Sequence, residues 1–105
     1  MRGEIYRFNP RDNRGHKQAG QRLAVVVQSD NLLLSTWLVA PTSTSARKSV
    51  FRPQIEIDGK LSCVLVEQTT VVNPETELGD FVGRLNSLEV GELNQALKLV
   101  FGLVG

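Results

Sequence analysis

Cysteine is almost missing from this chain: Cys63 is the only one in 105 residues. A single thiol forms no internal disulfide and builds no cysteine-based metal site. Histidine also occurs once, as His16. One His and one Cys give no ligand cluster. Glu56 and Asp58, two residues apart on one strand face, read as a solvated pair rather than a cation site. A metal-dependent nuclease is therefore not expected, and no cofactor is. No glycine-rich loop follows a strand and opens a helix, which leaves nucleotide hydrolysis unsupported. Ser, His and Asp all occur, but nothing in the sequence places them together. Long apolar runs are absent too. The longest aliphatic run, Leu23 to Val27, is far too short to span a bilayer. Met1-Arg2-Gly3-Glu4 is followed by no apolar stretch, so no secretory signal is expected and the cytoplasm is the expected location.

What is present is the composition of an ordinary globular protein, 41% hydrophobic and 22% charged. Residues 1–105 are expected to form one domain. A chain this short buries only about two thirds of its unfolded surface, so its core is thin and pairing with a second copy is a natural expectation. The formal net charge of +1 conceals an asymmetry. Residues 1–52 carry nine Lys or Arg against three acids, and residues 53–105 carry three against eight. If the fold keeps the halves apart, the basic half presents a positive face suited to a polyanion such as RNA.

Hydrophobic patterning predicts mostly strands. Glu4–Phe8 reads as a strand, and Asn9–Gln21 as a long polar loop. Arg22–Gln28 is a β-branched run that predicts a buried strand. Ser29-Asp30-Asn31 would cap a short helical turn through Leu34. Trp37–Ala40 is a further strand, stopped by Pro41, and Thr42–Ser49 a second polar loop. Gln54–Ile57 and Ser62–Thr70 form an expected hairpin turning at Asp58-Gly59, and Phe81–Leu85 one more strand. Ser87 would cap a final helix with Glu89 in its first turn. Its apolar stripe is Val90, Leu93, Leu97, Val100, Phe101 and Val104. Short strands, long loops and one terminal helix predict a β-rich, small, partly open barrel whose chemistry sits in the loops.

RNA can be cut without metal when its own 2′-hydroxyl is the nucleophile. The protein then supplies a proton acceptor, a proton donor and a cation for charge developing on phosphorus oxygens. Arg22 ends the first polar loop, where its planar fork could grip a phosphate. His16 is the one side chain that titrates near neutrality. Ser43 and Thr44 offer hydroxyls after a strand. Glu67 is an acid in an otherwise apolar run, Val64-Leu65-Val66-Glu67-Gln68, so it is either exposed at an edge or held by a partner.

These residues carry a resemblance. Arg2-Gly3-Glu4-Ile5-Tyr6, Gly15-His16-Lys17-Gln18-Ala19-Gly20-Gln21-Arg22 and the valine strand behind them resemble the opening of the MazF/Kid/PemK family of bacterial toxins. Val39-Ala40-Pro41-Thr42-Ser43-Thr44, Glu67-Gln68, and Gly83-Arg84-Leu85 before a capped helix are similar to its later motifs, in the same order. The resemblance spans essentially the whole chain. It implies a small SH3-like barrel of the MazF/Kid/CcdB type that works as a homodimer. It implies metal-independent cleavage of single-stranded mRNA or tRNA at short sequences, and neutralisation by an acidic, partly disordered cognate antitoxin. Arg22, Ser43, His16 and Glu67 match the family's catalytic positions, with Ser43 in place of a threonine. Lys17, Gln18, Gln21, Thr44, Arg47, Lys48, Gln68 and Thr70 are the expected RNA contacts. Leu23 replaces a usual proline, Lys17 a usual acid, Leu65 an arginine of the Kid branch and Thr70 another common arginine. Two other functions fit the same barrel: a gyrase poison like CcdB, and a catalytically weak member that only binds RNA or antitoxin. The first depends on a tryptophan near the C-terminus, whereas the only one here is Trp37.

Overall fold

A computed structural model of the protein describes residues 1–9 and 22–103. His16, Lys17, Gln18 and Gln21 lie outside the described residues, as do most of the first polar loop and Val104. In chain order the elements are β1 (Glu4–Phe8), β2 (Leu23–Val26), β3 (Trp37–Ser43), β4 (Gln54–Ile57), β5 (Lys60–Val64) and a 3-10 turn (Val66–Gln68). Then come β6 (Thr70–Val72), a one-turn helix α1 (Pro74–Glu77), β7 (Leu78–Arg84) and the helix α2 (Ser87–Val100). The sheet runs β4-β5-β3-β2-β1-β7, with β6 added beside β3.

β3 is the strand that curls the sheet. Trp37–Val39 pair with β6, while Thr42 and Ser43 pair with β5. Pro41 sits between these two partners. A strand residue points its N–H and its C=O to the same edge, and the Pro41 carbonyl takes the Leu65 N–H at 2.8 Å. Its missing N–H therefore faces the gap between β6 and β5, and the strand continues through the proline instead of stopping there. The result is a curled half-barrel with a C-terminal helix, the β-rich architecture the sequence predicts.

The β4–β5 hairpin turns at Asp58 (φ 52°) and Gly59 (φ 79°). Two successive positive φ values make a turn whose twist matches the strands it joins. The expected strand through Thr70 breaks earlier, at Leu65, into the 3-10 turn that carries Glu67 and packs against β3 and α2. Residues 29–34 form no helix. Ser29 accepts from Asn31 N–H through Oγ and from Leu32 N–H through its carbonyl, a single turn. Buried Gln28 holds the rest, donating to the Leu32 carbonyl and accepting the Leu38 N–H. That bridge satisfies backbone groups that a helix would have used.

α2 is capped by Asn86 rather than Ser87. Asn86 Oδ1 accepts the Glu89 N–H at 2.8 Å and Glu89 Oε1 accepts the Asn86 N–H at 2.9 Å, a reciprocal capping box. Glu89 Oε2 also takes the Glu56 N–H, tying the helix to β4. The buried stripe is Leu93 and Ala96, with Val90, Leu97 and Val100 beside them. Phe101 lies past the helix end and is exposed, so it leaves the expected stripe. Leu93 and Ala96 close the main core of Ile5, Val25, Ile55, Ile57, Val64 and Val66. A second, smaller core on the other sheet face gathers Phe8, Ala24, Val26, Val39 and Val72 under Tyr6 and Trp37.

Candidate functional site

β2 and β3 are antiparallel with Ala24 opposite Pro41. The ladder ends there: Arg22 stands just before β2, and Ser43 closes β3, where it pairs with Cys63 of β5. Thr42 Oγ1 donating to the Leu23 carbonyl at 3.3 Å shows that β2 and β3 are still side by side at that end. Arg22 is anchored by its backbone, whose carbonyl takes the Phe8 N–H at 2.8 Å, while its side chain is exposed. Ser43 is held by the turn it shapes: its Oγ accepts from Ser45 N–H at 3.2 Å and Ala46 N–H at 3.1 Å. A third hydrogen bond joins Ser43 Oγ to Ser45 Oγ at 3.2 Å, so the Ser43 hydroxyl is engaged within its own turn and must exchange the Ser45 partner to donate to a ligand.

Glu67 is drawn elsewhere. Arg52 Nε donates to Glu67 Oε2 at 2.9 Å, and Nη2 bonds the same oxygen. That hydrogen bond holds the Glu67 carboxyl below its ordinary value, against the opposing effect of its own partial burial. Arg52 lies one residue before Pro53, on the side of the molecule where the 44–53 loop meets α2. The other expected contacts are spread out. Thr44, Arg47 and Lys48 follow β3 in an exposed loop, Gln68 ends the 3-10 turn, and Thr70 stands on β6.

The charge asymmetry of the sequence is partly folded away. Arg52 pairs with Glu67, and Arg84 with Glu4, across the two halves. Arg7, Arg22, Arg47, Lys48 and Lys60 form no ion pair among the described residues. Two depressions lie near these cations. One, of about 460 Å³, separates the loop residues Lys48, Ser49, Val50 and Pro53 from Glu92 and Gln95 of α2. The other, of about 370 Å³, is the open mouth of the half-barrel, lined by Arg7, Leu23, Thr44, Ile57, Asp58, Lys60, Ser62 and Val82. Leu23 follows Arg22, and Thr44 follows Ser43, so this mouth adjoins the arginine–serine couple.

Arg7, Lys60 and Ser62 are not among the residues the sequence singled out, although their pattern holds a signal. Arg7 alternates with the core residue Ile5 on β1 and pairs with Leu23; Lys60 and Ser62 pair with the core residues Ile57 and Ile55. Arg7 and Lys60 continue the core-facing side of their strands to its rim, half-buried and exposed respectively, while Ser62 is a buried polar residue among apolar ones, where a side chain without a function would normally be apolar. No group of three or more His, Cys, Asp or Glu side chains able to hold a metal occurs among the described residues. No helix among them is long and apolar enough to cross a membrane.

The family model for the PemK-like, MazF-like toxin of type II toxin-antitoxin systems matches residues 1–101. A Mycobacterium tuberculosis protein with a provisional toxin name is 36% identical over 104 residues, covering 98% of each chain. The fold is similar to that of a mycobacterial endoribonuclease solved with its cognate antitoxin, with a TM-score of 0.80 at 19% identity, over 100% of this chain and 97% of that one. It is also similar to the Mycobacterium tuberculosis toxin MazF-mt6, with a TM-score of 0.76 at 18% identity, over 97% and 99% of the two chains. The Deinococcus radiodurans MazE-MazF structure gives a TM-score of 0.77 at 18% identity, over 98% and 96%.

Proposed function

Because the chain belongs to the PemK-like, MazF-like toxin family of type II toxin-antitoxin systems, we propose that it is a sequence-selective endoribonuclease toxin acting on single-stranded RNA in the cytoplasm. What supports this reading is that Arg22, just before β2, and Ser43, at the end of β3, stand at neighbouring ends of paired strands.

In the proposed reaction the ribose 2′-oxygen attacks the adjacent phosphorus. The new O2′–P bond forms as the P–O5′ bond breaks, leaving a 2′,3′-cyclic phosphate and a 5′-hydroxyl. The 2′-hydroxyl proton goes to a base, and the departing 5′-oxygen takes up a proton. Arg22 supplies a fixed cation for the oxygens of the pentacoordinate phosphorus, and Ser43 donates a hydrogen bond to one of them. His16 is the group chemically suited to move a proton near neutral pH. Glu67, charged and paired with Arg52, can accept a proton only once RNA or motion loosens that pair. None of these steps requires a metal ion.

The proposal extends to a homodimer and to an acidic cognate antitoxin. Leu32, Leu33 and Leu34, with Leu38 and its cross-strand neighbour Val71, expose aliphatic surface of the kind a second copy would cover. The cations left without ion pairs suit an acidic segment for the same reason that they suit RNA.

The test is incubation with a long single-stranded RNA in excess EDTA, beside Arg22→Ala. Discrete cuts that persist under chelation and disappear in the variant are expected. Removal of one such stabilising donor typically costs about 10²–10³ in rate. Wild-type cutting by Arg22→Ala would remove Arg22 from the reaction. RNA left intact by the folded wild-type chain, with growth arrest accompanied by DNA breaks, would favour the gyrase-directed alternative.

A further inference from the structure

The mouth of the half-barrel is built unlike the rest of the core. Ser62 is 5% exposed, yet its hydroxyl has no hydrogen-bond partner among the described residues, and the residue lines the cavity. Among the described residues the partnerless side-chain polar atom sealed from solvent is Ser49 Oγ; the Ser62 hydroxyl is instead open to the cavity and free to bond what enters it. Around it, Leu23, Ile57 and Val82 provide apolar walls, and Arg7 and Lys60 provide cations with no ion pair among the described residues. A cavity of about 370 Å³ sits near the small end of ligand sites, which run from roughly 300 to 1,000 Å³. Single-stranded RNA is read by unstacking a base, packing its faces against side chains and hydrogen-bonding its edge.

We propose that the half-barrel mouth is a nucleotide pocket. It holds one unstacked base of the RNA strand next to the bond cut at Arg22 and Ser43. Ser62 Oγ bonds the base edge, and Arg7 and Lys60 hold the flanking phosphate. The proposal rests on the endoribonuclease reading and deepens it, since it names where part of the target sequence is read. The arginine–serine couple and the mouth share the same strand ends, so a chain bound at one passes directly to the other. Asp58, at the hairpin tip, accepts hydrogen bonds and donates none when ionised. It therefore favours a base that presents an N–H to the rim.

Three variants separate the parts. Ser62→Ala removes the hydroxyl without adding volume. It is expected to lower discrimination at a single position beside the cut, read by sequencing the cleaved ends of a randomised RNA pool. Lys60→Gln is expected to raise KM roughly tenfold, the scale of one charge-assisted hydrogen bond, and to make the log–log salt slope of RNA binding shallower by about 0.7. Val82→Phe fills the mouth and should abolish selective cutting while thermal unfolding and circular dichroism stay those of a folded chain. Lys98→Gln, which removes a cation from α2, serves as the control and should change none of these.

An unchanged cleavage pattern in both Ser62→Ala and Val82→Phe, with active wild type, would overturn the pocket and leave the endoribonuclease reading standing. If Val82→Phe fails to fold, Ser62→Ala and Lys60→Gln decide the matter on their own. If the wild-type protein cuts no RNA, the readout becomes anisotropy with a pool of 2′-O-methyl octanucleotides. Binding that Ser62→Ala and Lys60→Gln weaken would keep the pocket and discard the catalysis, and binding unaffected by either would discard both.

Discussion

Two depressions among the described residues differ in a way their sizes do not reveal. The cleft along α2 is the larger, about 460 Å³ against about 370 Å³ for the mouth. Its charged lining residues are one cation, Lys48, and one acid, Glu92. Ser49 lines it too and its Oγ has no partner, but that atom is sealed from solvent, so no ligand in the cleft can reach it. The mouth has two cations to one acid, and its hydroxyl belongs to a residue with the cavity on one side. A polyanion responds to charge and to reachable hydrogen-bonding groups, not to volume. The smaller opening therefore has the lining better suited to a polyanion.

Leu93→Ala should produce the largest change in stability and tests whether the two regions are separable. Leu93 is the fully buried leucine on the inner face of α2, and such truncations cost about 2–5 kcal/mol. Denaturant unfolding should show that loss, with the RNA cleavage pattern retained at temperatures where the chain remains folded. A changed pattern would mean that the α2 wall and the mouth are coupled. Gly59→Val strikes the mouth instead. A β-branched residue at φ 79° carries a strain of about 1–3 kcal/mol, and the displaced hairpin should move Lys60 and Ser62. Cleavage selectivity should fall more than stability does, as measured by mapping cut sites beside a melting curve.

Asn86→Ala removes the cap that starts α2 and should cost about 1 kcal/mol, read by thermal melting, with little effect on cleavage. Smaller still is the effect of Arg52→Gln. Glu67 has a lowered pKa in the folded chain, so the stability its pairing contributes is present above the ordinary value of 4.5 and is lost as pH falls through the lower folded value. In Arg52→Gln the Glu67 carboxyl should titrate at higher pH, measurable by NMR, and the acid limb of the stability profile should flatten. Gln95→Trp should change least of all. It fills the α2 cleft, and cleavage indistinguishable from wild type is expected; a lost activity would reverse the ranking of the two depressions.

Much of this fold is legible in the sequence. The β1 strand, the Asp58-Gly59 hairpin and the terminal helix follow from alternation, turn chemistry and a three-to-four residue period, which are local properties of the chain. The 29–34 turn and Pro41 were misread because their backbone groups are satisfied from a distance, by Gln28 and by Leu65. Local capping rules do not contain those partners. Glu67 reads from the sequence as either exposed at an edge or held by a partner, and Arg52, fifteen residues earlier, decides for the partner because it is brought in by the fold rather than by a neighbouring residue.

The sequence by itself determined a β-rich fold with a C-terminal helix, and which residue types were available to a site. Periodicity and side-chain chemistry are written in neighbouring residues. Only the tertiary structure decided which of those residues meet. The β2–β3 pairing leaves Arg22 and Ser43 at neighbouring strand ends, and the ion pair turns Glu67 toward Arg52. The curl of the sheet gathers Arg7, Lys60 and Ser62 around one opening. The reason is physical: contacts between residues far apart in the chain depend on strand order and curvature, and these arise from packing the whole sheet against α2.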